Sequence, residues 1–439
     1  MYLHGSSRIN QHRHLEIGGL DTTDLAAEYG TPLYVYDVEL IRKRASAFKS
    51  AFDKAKVKAK VAYASKAFSS MAVIQVMHEE GLYLDVVSAG ELYTAIAAGF
   101  PTERIHFHGN NKSPDEIRMA LEHGVGCIVV DNFYEIELLD LFCRNLGVKM
   151  KILLRVTPGV EAYTHHYITT GQIDSKFGFD LSNGQADEAI QIVTASSSFE
   201  LLGFHCHIGS QIEETTAFVL AVDEIFKRIK KWIEHLSYVP QVLNFGGGFG
   251  IRYTDQDKPL APEIYVGKII EAVKRKTNEL HIEMPEIWIE PGRSLVGEAG
   301  TTLYRVGSQK EVPSVRTYLA IDGGMSDNLR PSLYQAKYEA ALANKMTEPH
   351  DRIVTIVGKC CESGDTLIYD ASLPEPRAGD LLAVFCTGAY GYSMANNYNR
   401  FPRPAVIFVE DGEAQLVIKR ETCEHILQLD LPYKAKVTK

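Results

Sequence analysis

The sequence predicts an α/β protein: a closed (β/α)8 barrel joined to a second, mostly β domain. Residues 61–292 alternate eight short β-branched runs with stretches of helical amphipathicity. That rhythm stops near residue 300, where strand-like runs follow one another with one helical interruption. Seven of the eight runs end in a polar residue or glycine and the fifth carries Arg155 next to its last residue, at the strand ends where barrel enzymes carry their chemistry.

The runs are VAYASK (61–66), LDVVS (84–88), IHFHG (105–109), CIVVD (127–131), KILLRV (151–156), LLGFHCHIG (201–209), QVLNFGGG (241–248) and EIWIEPG (286–292). Strands that alternate with helices are parallel. Eight such units close a barrel, with an open doubly wound sheet as the alternative. Between them, SPDEIRMALEHG opens with Ser113 and Glu116 at capping-box spacing, and TTAFVLAVDEIFKRIKKWIEHL is a long amphipathic helix. VELIRKRASAFKSAF (38–52) precedes the first strand and completes the outer ring. Residues 157–182 form an unusually long connection with little periodicity, and such loops tend to be functional.

After residue 300, TTLYRVGSQKEV, RTYLAIDGG, RIVTIVG, DLLAVFC and RPAVIFVEDGEAQLVIKR read as strands, with a hairpin at Asp411-Gly412. One helix is expected near 332–343. The extended pieces HLEIGGL and PLYVYD precede the barrel without helices of their own, so they are expected to join this second domain. The expected division is 37–299 for the barrel, with 1–36 and 300–439 forming the β-rich domain.

The 439 residues carry 46 Lys+Arg against 56 Asp+Glu, a formal net charge of −10. An acidic chain with no basic block is a poor partner for nucleic acid or an anionic membrane. No apolar run approaches the roughly 20 residues that span a bilayer. The polar start MYLHGSSRINQHRHLEI lacks the apolar core of a signal peptide, so the cytoplasm is the expected compartment. The 7 cysteines agree, being odd in number and without a C-x-x-C pair. Most read as buried core thiols.

Among the polar strand ends, Lys66 follows an otherwise apolar run. A lysine partly desolvated in a barrel mouth suits Schiff-base chemistry; a phosphate-binding lysine is the alternative. Gly246, Gly247 and Gly248 follow the seventh strand, where this fold commonly binds phosphate and where glycines let backbone N–H groups approach an anion. Ser210, after the sixth strand, can add a hydroxyl. Glu290 ends the eighth strand and suits a protonated ring nitrogen, and Pro291-Gly292 turns the chain so that its backbone also faces the phosphate. His205 and His207 share one face of a strand, but no metal is expected, because no carboxylate or third histidine stands at ligand spacing. A histidine stacked on a cofactor ring explains His207 better.

VAYASKA, LDVVSAGEL, HFHGNNKS, DSKFGF, FHCHIGSQ, NFGGGFGI, IEPGRSLVGEAG, DGGMSDNLRPSLY, CCESGDTL and TGAYGYSMANNYN together resemble the fold-type III pyridoxal-phosphate decarboxylases, whose barrel is alanine-racemase-like. The resemblance runs in order from about residue 30 to 410. It implies pyridoxal 5'-phosphate as cofactor, with Lys66 as its Schiff-base lysine, His207 on the ring face and Glu290 at the pyridine nitrogen. Ser210, Gly247, Gly248, Gly292, Arg293 and Tyr390 would hold the phosphate, and Asp85, Glu91 and Arg155 would line the pocket. Arg293, Arg330 and Tyr334, with Tyr390, match residues that grip a substrate's distal carboxylate. Cys361 and Glu362 match a pair supplied by the other subunit, which implies a homodimer with shared sites.

Within that group the motifs look most like the branch that acts on meso-2,6-diaminopimelate, giving L-lysine and CO2. Two guanidinium groups suit a second amino-acid head, whose carboxylate they bind with forked hydrogen bonds, and Glu362 can take the accompanying ammonium. An interdomain salt bridge is the alternative for Arg330. Relatives acting on ornithine, arginine or carboxynorspermidine are the nearest alternative, since they must hold a distal amine. A non-catalytic cofactor-binding homologue is disfavoured by the intact CCESGD and GAYGYS segments. A racemase would need a second base that is not identifiable.

Overall fold

The computed structural model describes residues 2–159 and 175–433. Eight parallel strands, Ala59–Ala64, Tyr83–Val86, Ile105–Phe107, Cys127–Val130, Met150–Thr157, Phe199–His205, Val242–Asn244 and Glu286–Ile289, close on themselves through the pairing of the last with the first. The barrel is therefore closed, not an open sheet. A two-residue strand, Phe179–Asp180, adds to the edge of Met150–Thr157. Residues 160–174 of the long connection lie outside the described residues.

Helices Val38–Ala55, Pro114–Glu122 and Thr216–Leu236 stand where the periodicity places them, and Ser113 and Glu116 form the complete capping box. Strand interiors are filled twice over. Their outward residues pack on the helices, in the larger core. Inward residues Cys127, Val129, Leu153, Leu202, Val242 and Trp288 form a small plug inside the barrel.

The second domain is built on a nine-stranded sheet around the long strand Gly300–Val312. Leu33–Asp37 pairs antiparallel with that strand and parallel with Ala405–Glu410. HLEIGGL lies in a small three-stranded sheet whose Leu15 and Ile17 belong to this domain's core. Both N-terminal pieces thus join the second domain, although a helix, Thr22–Tyr29, stands between them, capped by the Asp21 side chain on Thr23 N–H. Asp411 and Gly412, at φ 52° and 79°, turn Ala405–Glu410 into Glu413–Ile418, as the hairpin signal requires.

Three elements differ from expectation. The helix near 332–343 is only Arg330–Tyr334, and Ala340–Leu342 is a strand paired with Leu381–Val384. Gln335, at φ 54°, ends the helix in a left-handed cap, and strand pairing overrides the alanine-rich helix propensity that follows. Thr366–Leu373, absent from the expected strands, pairs with Arg352–Val357. Its alternation is irregular because register shifts interrupt it. No helix among the described residues is long and apolar enough to cross a membrane.

Candidate active site

The C-terminal ends of the barrel strands and one edge of the second domain enclose a cavity of about 860 Å³. Lys66, Asp85, Arg155, His207 and Ser210 reach it from the barrel, as do Gly247, Gly248, Glu290, Gly292 and Arg293. Arg330, Tyr334 and Tyr390 reach it from the second domain. Lys66 sits in the 3-10 turn Ser65–Ala67. Its side chain is exposed into the cavity, because the flanking Ser65 and Ala67 take the buried directions of the turn. Tyr390 N–H donates to Ala67 O at 2.8 Å, tying the second domain to this turn.

Glu290 is the hub of the barrel mouth and is 5 % exposed. Its Oε1 accepts from His108 Nε2 at 2.8 Å and from Asn244 Nδ2 at 2.6 Å, and its Oε2 lies 3.2 Å from His205 Nε2. Burial would raise this carboxyl, but His108 and His205 outweigh it and hold it well below the usual carboxylate range. Burial also works against a charged His108, yet Asp85 and Glu290 raise it above the ordinary imidazole value. His205 is pushed down to about 4 by burial. Asp85 is pushed up to about 7, by burial first, against the His108 charge. Its Oδ1 has no hydrogen-bond partner among the described residues. The mouth therefore favours the charged forms of Glu290 and His108 and the neutral form of His205.

The opposite side is a cradle of backbone. A Cβ on Gly247 would meet Glu290 O at 2.2 Å, and one on Gly248, at φ 97°, would meet Gly209 O at 2.2 Å. Only glycine lets the chain come this close. Gly247 N–H donates to His207 Nδ1 at 3.3 Å, which orients the imidazole. Arg293 Nη2 donates to Ser210 Oγ at 2.9 Å. Arg293 Nε and Ser294 Oγ are buried without partners among the described residues. The hydroxyls of Ser210 and Ser294 beside glycine backbone suit a phosphate, and the buried carboxylate suits a ring nitrogen that must stay protonated; these residues fit pyridoxal phosphate.

Arg330 is 8 % exposed and forms no ion pair among the described residues, so the interdomain salt bridge is not made there. Its Nη1 donates to Tyr338 Oη at 2.5 Å. Arg155 packs over the Phe177 ring at 4.1 Å, and Asp131 accepts from Gly178 N–H at 3.0 Å, so part of DSKFGF braces the mouth.

Cys361 and Glu362, expected to serve another subunit's site, are exposed and outside this cavity: Cys361 N–H donates to Asn399 Oδ1 at 2.7 Å, and Glu362 accepts from Tyr398 Oη at 3.4 Å. Glu91, expected to line the pocket, does not reach it. It turns back to accept from Val87 N–H at 2.7 Å, and Ser88 caps the next helix. His108, His205 and Glu290 offer donor atoms within 4.8 Å of one another, a grouping that no local spacing reveals, and both histidines are already turned to the Glu290 carboxylate. The partners of Glu290 and of the two arginines went unassigned in the sequence; Asn244, a polar residue closing the apolar run VLN, was the one local signal.

The profile "Pyridoxal-dependent decarboxylase, pyridoxal binding domain" matches residues 38–297. The chain is 69% identical over 437 residues to the diaminopimelate decarboxylase of Bacillus subtilis, covering 100% of both chains. Among solved structures it is similar to the M. jannaschii diaminopimelate decarboxylase in complex with L-lysine, at TM-score 0.90 and 33% identity, covering 97% of this chain and 98% of that one. It is also similar to the Helicobacter pylori diaminopimelate decarboxylase complexed with L-lysine, at TM-score 0.85 and 32% identity, covering 93% and 99%.

Proposed function

Because the chain belongs to the diaminopimelate decarboxylases, within the pyridoxal-dependent decarboxylases, we propose how its own residues divide the work. It is a pyridoxal 5'-phosphate-dependent carboxy-lyase that decarboxylates meso-2,6-diaminopimelate at its D-configured centre and yields L-lysine and CO2. When bound, the cofactor supplies an electron-poor ring that takes up the electron pair left as CO2 departs.

Lys66 anchors the cofactor through its amine, in keeping with its exposure into the cavity. Glu290 holds a proton at the ring nitrogen, and His108 and His205 keep that carboxylate ionised and aimed. His207, oriented by Gly247, would pack on the ring face. Ser210, Gly247, Gly248 and the backbone of the Gly292–Arg293 turn would bind the phosphate, with Tyr390 helping from the second domain, while the Arg293 guanidinium is left for the substrate. Asp85 sets the charge of the mouth through His108.

One observation carries the substrate assignment: Arg293 and Arg330 are buried on the cavity without an ion-pair partner among the described residues. The substrate's distal carboxylate supplies the missing anion, with Tyr334 beside it. Lysine and ornithine bring only an ammonium there, and a polar site left unpaired rejects an analogue by roughly 10⁴-fold. Lysine and CO2 release from meso-diaminopimelate is the direct assay. Comparable turnover of ornithine or L-lysine would replace this reading with a broader basic amino-acid decarboxylase.

Cys361 and Glu362 act in the site of a second subunit, and the exposure of both supports this. Lys66→Ala and Glu362→Ala proteins should each be nearly inactive. After subunit exchange their mixture should regain activity, because one hybrid site carries neither lesion. Exchange proven by mass without recovered activity would return Glu362 to its own subunit's site. The enzyme works in the cytoplasm as a homodimer.

A further inference from the structure

Arg293 and Arg330 are 7 % and 8 % exposed, and neutral partners hold them: tyrosines at both, with the Ser210 hydroxyl also at Arg293. Arg293 Nη1 donates to Tyr253 Oη. The Arg330 guanidinium lies over the same Tyr253 ring, 4.8 Å from its centroid, and donates to Tyr338 Oη at 2.5 Å. The rings of Tyr253 and Tyr338 meet edge to face, with centroids 5.5 Å apart at 90°. Tyr253 comes from the loop after the seventh barrel strand, where Asp257 Oδ2 accepts from its N–H at 3.1 Å. Tyr338 comes from the second domain and is 4 % exposed. The pair thus couples the two arginines across the domain junction.

The choice of tyrosine has an electrostatic consequence. Two guanidinium groups sharing one low-dielectric wall repel each other. A carboxylate partner would relieve that repulsion but would also neutralise the charge that attracts a substrate anion. A ring face and a phenol oxygen attract a guanidinium without discharging it. Burial pushes the Tyr338 hydroxyl up to about 12, with Arg330 opposing, so the phenol stays neutral at physiological pH.

We propose that Tyr253 and Tyr338 are positioning residues for the distal-carboxylate subsite: they aim Arg293 and Arg330 while leaving both charges for the substrate, and so favour a carboxylate-ended substrate over an amine-ended one. The inference rests on the assignment of these arginines to the distal carboxylate. Both tyrosines act through the arginines, so their effect falls on substrate affinity.

Tyr338→Phe and Tyr253→Phe test this while keeping each ring. For the loaded enzyme, Tyr338→Phe should raise the KM for meso-diaminopimelate about tenfold, the scale of a lost hydrogen bond to a charged group. Its kcat should stay within about twofold and its cofactor absorbance should be unchanged. D-lysine, which has the same reacting end but no distal carboxylate, should inhibit wild type and variant alike. Tyr253→Phe should show the same pattern, with a smaller shift because its ring remains under Arg330. Equal weakening of D-lysine and diaminopimelate, a fall in kcat without a change in KM, or an unmoved KM in both variants would overturn the proposal. Arg330→Ala separates the two levels. If it leaves KM unchanged, the distal-carboxylate assignment itself fails. If it raises KM while both tyrosine variants do not, only the positioning role fails.

Discussion

Two layers of the barrel interior, one residue pair apart on the same strands, behave in opposite ways. In the lower layer His106 stacks flat on Trp288, with centroids 4.3 Å apart and planes at 9°, and Lys60 caps the indole at 4.2 Å. In the upper layer His108 and Glu290, each two residues further along, form a 2.8 Å hydrogen bond. Burial pushes His106 down to about 3, against the pull of Glu290, whereas His108 is raised by Asp85 and Glu290 against its burial. Both histidines are almost fully buried, so burial does not separate them. Their neighbours do: a histidine against an indole is pushed towards its neutral form and packs, and one between two carboxylates is held towards its charged form beside the candidate site.

The comparison breaks most visibly at Glu290. Glu290→Gln should keep the cofactor, read from its absorbance, but lose kcat by roughly 10²–10⁴-fold, as when an acid–base group is removed. Near-normal kcat in fully loaded protein would take the upper layer out of the reaction. Trp288→Ala is the counterpart below. Emptying the largest side chain of the plug should cost about 3–5 kcal/mol in urea unfolding, with kcat per loaded site within about twofold. A kcat loss matching that of Glu290→Gln would erase the distinction between the layers.

Acid unfolding sharpens it further. Below about pH 6.5 the unfolded chain protonates at residue 106, whereas the folded chain resists until about 3. Stability supplied by the neutral His106 is therefore present above 6.5 and is lost as pH falls through that window. His106→Phe removes this loss, so Tm measured from pH 7 to 4 should decline less steeply than in wild type. Parallel declines would mean that His106 is not held neutral. The smallest effect is expected for Lys60→Met, which gives up the cation–π contact with Trp288 but relieves a half-buried charge; stability should change by less than about 1 kcal/mol. A larger loss would show that the lower layer also depends on charge.

Local signals in the sequence were sufficient for the frame of the site. Lys66, the glycines after the seventh strand and Glu290 were legible because each closes an apolar run, and a barrel gathers such ends at one rim. The hairpin at Asp411-Gly412 was legible because positive φ at both residues is a local demand. Short-range reasoning failed where contacts were long-range. Ala340–Leu342 reads as helix until Leu381–Val384 pairs with it. Asn244 and His205 reach Glu290 from separate strands, and His108 bonds it from 182 residues away. Tyr253 and Tyr338 carry no motif that joins them to the arginines they hold.

The sequence by itself determined the order and parallel sense of the barrel strands, the rim residues and the backbone cradle, because periodicity and turn chemistry act within a few residues. Only the tertiary structure decided the charge of those rim residues and where Cys361 and Glu362 stand. Protonation depends on which groups lie within a few ångströms in a low-dielectric interior, and that proximity arises when strands far apart in the chain close the barrel.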